Sequence, residues 1–139
     1  RRRDDRGSLR GRRVEGLWLD TRSLSWWLGD DGRLPGWASG PLRDPETPCF
    51  VSAATLWEIG IKRALAKLEA PAELASVIGD EGFLGLPISL DHAERAANLP
   101  PIHRDPFDRM LIAQALAESL TLVSVDPRFA PYGVDLLHD

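Results

Sequence analysis

Sulfur is scarce in this chain: it has one cysteine, Cys49, and one methionine, Met110, in 139 residues. A lone thiol excludes an intrachain disulfide framework and any cysteine-rich zinc module, and it fits a reducing compartment. Long hydrophobic runs are missing too. None approaches the ~18 apolar residues that a membrane-spanning helix needs, and the arginine-rich start is not followed by the apolar region of a secretory signal. The expected location is the cytoplasm. An excess of positive charge is also lacking, with 17 basic against 21 acidic residues and a net charge of −4. The deficit is uneven. Residues 1–16 carry seven arginines and three acids, whereas residues 17–139 carry ten basic and eighteen acidic groups. The first segment reads as a basic, disordered tail, and residues 17–139 as one domain. With 43% apolar and 27% charged residues over its full length, the chain has the composition of a globular protein with a real core.

Along the chain, apolar strand-like runs alternate with helical patterns. Leu17-Trp18-Leu19 reads as a strand ending at Asp20, and Ser23 to Leu28 as a helix closed by Gly29-Asp30-Asp31-Gly32. Residues 33–48 hold four prolines and two glycines, which predicts a loop with at most a short helix around Trp37. Cys49 to Val51 reads as a buried strand, Ser52 as an N-cap, and Ala53 to Leu65 as a helix. Pro71 suits the first turn of a helix to Ile78. Phe83 to Ile88 returns to strand character, Ser89 caps a helix through Ala97, and Asn98 to Arg104 forms a loop. Phe107 to Ser119 reads as an amphipathic helix with Met110, Leu111, Ala113, Ala115 and Leu116 inward. Leu120 to Val125 and Val134 to Leu137 close the series as strands. Such alternation predicts an α/β fold, a three-layer α/β/α sandwich on a mostly parallel sheet. Ligands in such sheets bind beyond the carboxyl ends of the strands, at the topological switch point.

Four acids fall at such places. Asp20 follows the first strand, Glu58 lies two turns into the helix after the second, Asp108 opens the long helix, and Asp126 follows the next strand. Each has a structural explanation of its own. Asp20 and Asp126 can cap, Glu58 can close a capping box with Thr55, and Asp105-Pro106-Phe107-Asp108 is a good helix start with Asp105 as N-cap. Together, however, they would repel one another strongly in a shared crevice. Divalent cations would remove that conflict, and all-oxygen ligands favour Mg²⁺ or Mn²⁺ over zinc or copper. Carboxylate-held ions of this kind support phosphodiester hydrolysis.

The stretches LWLDTRSLSWWL, FVSAATLWEIGIK, HRDPFDRMLIAQALAESLTLVSVD and RFAPYGVDLL together resemble the PIN-domain ribonucleases of the VapC toxin type, from prokaryotic toxin–antitoxin modules. The resemblance covers residues 17–137. It implies a PIN fold, Mg²⁺- or Mn²⁺-dependent endoribonuclease activity on RNA, homodimerisation and inhibition by a cognate antitoxin. Carried over by motif, the catalytic and metal-binding acids are Asp20 in LDT, Glu58 in LWEI, Asp108 in PFDRMLIAQA and Asp126 in VSVD. Asp105 resembles an accessory acid, and Thr21 is a candidate hydrogen-bond donor to a carboxylate or phosphate. The sequence departs from the family pattern in two places: Arg22-Ser23 follows the LDT pair, and the segment before Cys49, usually helical, is rich in Gly and Pro.

Because affinity for phosphate comes mainly from Lys and Arg, an acidic domain should hold RNA only through metal and local cations. Arg22, Arg104 and Arg109 are the candidates for contact with RNA or antitoxin, with Lys62, Arg63 and Lys67 behind them. Among the five tryptophans, Trp18 and Trp57 suit packing and one of the others could stack on a base. Other hydrolase classes fit poorly. Arg22 stands where a haloacid-dehalogenase-like phosphatase needs its second Asp. His92, His103 and His138 have no zinc-ligand spacing, His103 reading as loop, and no GxSxG elbow is present. The serious alternative is a PIN-like module that binds antitoxin or RNA without cleaving.

Overall fold

The computed structural model describes residues 16–29 and 32–138; apart from Gly16, the expected basic tail lies outside the described residues. Five short strands, β1 (Leu17–Leu19), β2 (Cys49–Ser52), β3 (Leu84–Leu86), β4 (Thr121–Val123) and β5 (Asp135–Leu136), form one sheet in the order β3-β2-β1-β4-β5. Every neighbouring pair is parallel, so the sheet is wholly rather than mostly parallel. Around it stand α1 (Thr21–Leu28), α2 (Gly36–Arg43), α3 (Ala53–Ala64), α4 (Leu74–Asp80), α5 (Leu90–Ala97) and α6 (Pro106–Glu118), with a 3₁₀ segment over Pro127–Tyr132.

Alternation along the strands divides the interior into two cores. Leu17, Leu19, Val51 and Val123 face one side, with Leu24 of α1, Leu42 of α2, Ile59 of α3 and Ile78 of α4. Trp18 and Leu122 face the other, with Leu111, Ile112 and Ala115 of α6 and with Phe129. Trp18 is fully buried, and its indole Nε1 donates to Leu111 O at 3.0 Å, so the polar edge of the largest core side chain also pins α6 to the sheet. The sandwich has three layers, as the alternating pattern predicts.

Two elements differ from the sequence reading, and a third takes the form it allowed. The short helix around Trp37 is α2: Pro35 precedes its first turn, Ala38 and Leu42 are buried one turn apart, and Pro41 is accommodated inside the helix. The apolar spacing outweighs the proline and glycine content there. Helix α4 begins three residues beyond Pro71, which lies outside it. In α6 the buried run is Leu111, Ile112, Ala113, Gln114 and Ala115, while Leu116 is exposed. This helix packs against α5 and α3 as well as the sheet, so burial wraps around it and a single apolar face is not what holds it. Gln114 is satisfied internally, accepting from Ser52 Oγ at 2.6 Å and donating to Pro87 O at 3.2 Å.

Strand order places the site. From β1 the chain runs outward to β2 and β3, then returns to β4 on the other side of β1. The switch point therefore lies between the carboxyl ends of β1 and β4, where Asp20 and the Ser124–Asp126 segment emerge.

Candidate active site

A cleft of about 450 Å³ opens at this switch point, lined by the carboxyl groups of Asp20, Glu58, Asp105, Asp108 and Asp126. All four acids expected to be catalytic, and the accessory one, thus line one cleft. Their local roles and their convergence are compatible, because helix N-termini are gathered here and acids cap them.

Asp20 caps α1, its Oδ1 accepting from Ser23 N at 2.8 Å. Its Oδ2 accepts from Ser124 Oγ at 2.6 Å, which ties the ends of β1 and β4 together. Only 5% of its surface is exposed; burial raises its pKa above the ordinary value, against the lowering effect of the two serines. Glu58, also buried, accepts from Thr21 Oγ1 at 2.5 Å and pairs with Lys62 Nζ at 3.1 Å. Thr55 Oγ1 has no hydrogen-bond partner among the described residues, so the capping box considered for Glu58 does not form, and the carboxyl group faces the cleft. Asp105 caps α6 by accepting from Phe107 N and Asp108 N. Asp126 caps the 3₁₀ segment and is gripped by Arg128, whose guanidinium approaches both carboxylate oxygens at 2.8–3.2 Å. That hydrogen bonding holds the Asp126 carboxyl below the usual range.

Asp108 is the electrostatic centre. Burial, and then the neighbouring Asp105, Glu58, Asp20 and Asp126, push its pKa up to about 7. Its carboxyl group lies among like charges, while Lys62 and Arg128 pair with Glu58 and Asp126 instead. One ligand atom from each of Asp108, Asp126 and His103 lies within 4.8 Å of the others. The donor set and the charge it concentrates fit a divalent cation.

His103 is the residue that the sequence reading missed. Its side chain is buried, with Nδ1 accepting from Asp105 N at 3.4 Å and Nε2 lying 3.0 Å from Asp108 Oδ2. The approach is off the hydrogen-bonding direction, so Nε2 remains without a hydrogen-bond partner among the described residues. Phe129 packs beside the ring, and Tyr132 Oη accepts from His103 N at 2.6 Å. The available signal was a histidine two residues before a helix-capping Asp, but a lone histidine outside any zinc spacing has no distinctive pattern.

The expected basic contacts separate. Arg22 lines the cleft together with Arg33, Lys62, Lys67 and Arg128. Arg109 does not: its guanidinium donates to the carbonyls of Ala96, Leu99, Pro100 and His103 and thereby shapes the loop before α6. Arg104 is exposed and is not among the side chains lining the cleft. Cys49 is buried, and burial pushes its thiol up to about 11, so it offers no nucleophile at neutral pH.

The PIN domain family profile matches residues 17–134, and the chain belongs to that family. A search of curated proteins gives no match. Several solved structures share the fold at low identity. FitAcB from Neisseria gonorrhoeae is 20% identical, with a TM-score of 0.57, and the match covers 88% of this chain and 96% of that one. A toxin-antitoxin complex from Klebsiella pneumoniae is 19% identical, with a TM-score of 0.57 and coverage of 83% and 91%. VapBC2 from Rickettsia felis, bound to a DNA fragment from its promoter, is 16% identical, with a TM-score of 0.63 and coverage of 86% and 96%. Among the described residues no helix is long and apolar enough to cross a membrane.

Proposed function

We propose that this PIN domain is a VapC-type toxin: a Mg²⁺- or Mn²⁺-dependent endoribonuclease held in check by a cognate antitoxin. The observation that carries the reading is the cluster of carboxyl groups at the switch point, with Asp108 raised to about 7 by burial and its acidic neighbours. Asp20, Asp108 and Asp126 are the metal-holding acids, and Glu58 completes the site. A bound divalent ion would supply polarisation of water and stabilisation of the departing oxygen. The chain's own residues do the rest. Ser124 and the α1 amide fix both oxygens of Asp20, Thr21 fixes Glu58, and His103 backs Asp108 from the buried side. Lys62 and Arg128 neutralise Glu58 and Asp126 in the free protein. Both cations reach solvent, and a divalent ion that neutralised Glu58 and Asp126 would free them to turn to substrate phosphates. Hydrolysis on this pattern leaves a 5′-phosphate and a 3′-hydroxyl.

Antitoxin binding and homodimerisation belong to the same proposal. A patch of Trp57 (66% exposed), Leu65 (59% exposed) and Ile61 runs along α3, with Phe107 against the Trp57 ring. Exposed apolar surface of this kind suits a protein partner.

Metal binding should displace the Asp108 proton, because the ligand must be ionised. Calorimetric titration with Mn²⁺ at pH 6, in two buffers of different ionisation enthalpy, is expected to show release of about one proton, falling towards none by pH 8.5. Proton release independent of pH would remove Asp108 from the ligand set. For function, purified protein should cut a single-stranded RNA in Mn²⁺ and stop on addition of EDTA. Binding of the RNA without any cleavage in Mn²⁺ would favour the alternative, a PIN module that has lost turnover.

A further inference from the structure

Trp26 is half-buried but stands apart from both apolar cores, whereas Trp18 is central to one, and Trp27 and Trp37 pack against the other. It forms a wall shared by two adjacent clefts: the acidic one, and a neighbour of about 430 Å³ that also holds Ser39, Arg43 and Glu81. Two exposed arginines lie over its ring, Arg22 with its guanidinium carbon 6.0 Å and Arg33 5.5 Å from the centroid. Both arginines also line the acidic cleft. A half-buried indole of this kind, flanked by cations and bordering a row of acids, is a stacking surface with phosphate ligands on its margin.

We propose that Trp26 is the platform on which one unpaired nucleobase of the RNA stacks next to the cleavage site, while Arg22 and Arg33 turn to the phosphates on either side of it. The proposal rests on the ribonuclease reading and supplies something that reading lacks. A domain with a strong acidic excess gains little from non-specific attraction to phosphate. Stacking is indifferent to that excess, because every base has a π-face. The adjoining cleft holds Ser39, Arg43 and Glu81. Glu81 Oε1 accepts from Trp27 Nε1 at 2.8 Å and Arg43 lies over the Trp27 ring, which leaves the second Glu81 oxygen and the Arg43 guanidinium to meet the edge of the stacked base and set a sequence preference.

The test uses Trp26→Leu, which keeps apolar bulk and loses the aromatic face, with Trp26→Phe as the conservative variant and matched melting curves as the fold control. Binding of a fluorescein-labelled single-stranded RNA is followed by anisotropy in Ca²⁺, with cleavage measured separately in Mn²⁺. Trp26→Leu is expected to weaken binding about 5- to 100-fold and Trp26→Phe by less than about threefold. An abasic nucleotide walked along the RNA should reproduce the loss at one position. On that RNA, Trp26→Leu should add less than about twofold. Wild-type cleavage with unchanged affinity in both variants would overturn the stacking assignment alone and leave this surface to a protein partner. Additive penalties at every abasic position would overturn it as well. A wild-type protein that neither binds nor cuts the RNA would remove the ribonuclease reading itself, and this proposal with it.

Discussion

Asp20→Asn is expected to reduce RNA cleavage by about 10³-fold or more while leaving the melting temperature nearly unchanged. Asparagine has the shape of aspartate and is as good an N-cap, so the bond from Ser23 N to Oδ1 survives. The new amide meets Ser124 Oγ, whose hydroxyl can reverse and accept. Loss of charge at a buried position is not destabilising in itself, since burial already disfavours the charged form there. The substitution therefore removes a metal-holding oxyanion from an intact scaffold. Near-wild-type, chelator-sensitive cleavage by a folded Asp20→Asn protein would take Asp20 out of the site.

Asp108→Asn should separate stability from activity in the opposite sense, making the metal-free protein more stable as it abolishes cleavage. In the native protein Asp108 keeps its proton up to about pH 7, whereas an unperturbed aspartate releases it near 3.8. Between those values the folded state holds more protons than the unfolded one, so the contribution of this group to stability falls as pH rises and reaches its full penalty above about 7. Asparagine removes the penalty. With chelator present, the variant is expected to melt about 3–6 °C above wild type at pH 8, with the gap closing towards pH 4. Saturating Mn²⁺ should reverse the order, because only wild type gains the full binding energy. Equal melting curves at both pH values would mean that the carboxyl group is not strained by its acidic neighbours.

Much of this was legible in the sequence because of the periodicity of apolar residues. The short strands ending at Asp20 and near Asp126, the capped helix after Ser52 and the Asp105-Pro106 start of the long helix each carry a local signal in their own residues. The four acids stand out because Asp20, Asp108 and Asp126 sit at or beside the ends of such elements and Glu58 lies in the helix that follows β2, and parallel topology brings all four to one cleft. Helix α2 is legible only as a short helix around Trp37, because Pro35, Gly36, Gly40 and Pro41 argue for loop, although the Ala38 and Leu42 spacing decides the fold. The burial of α6 departs from its apparent apolar face because a helix covered on several sides loses the one-faced pattern. His103 and Arg109 could not be assigned from sequence at all. The first matters through the direction of one ring nitrogen, and the second through four carbonyls of a loop with no regular period.

The chemistry of the cut ends tests the account most directly. A defined single-stranded RNA, incubated with the purified chain in Mn²⁺ and in EDTA, is analysed for the termini at each break. The account predicts new 5′-phosphate and 3′-hydroxyl ends in Mn²⁺, none in EDTA and none with Asp20→Asn. Breaks that persist in EDTA and carry 5′-hydroxyl and 2′,3′-cyclic phosphate ends would contradict it, because they would show cleavage by the RNA's own 2′-hydroxyl without the metal that the carboxyl cluster is proposed to hold.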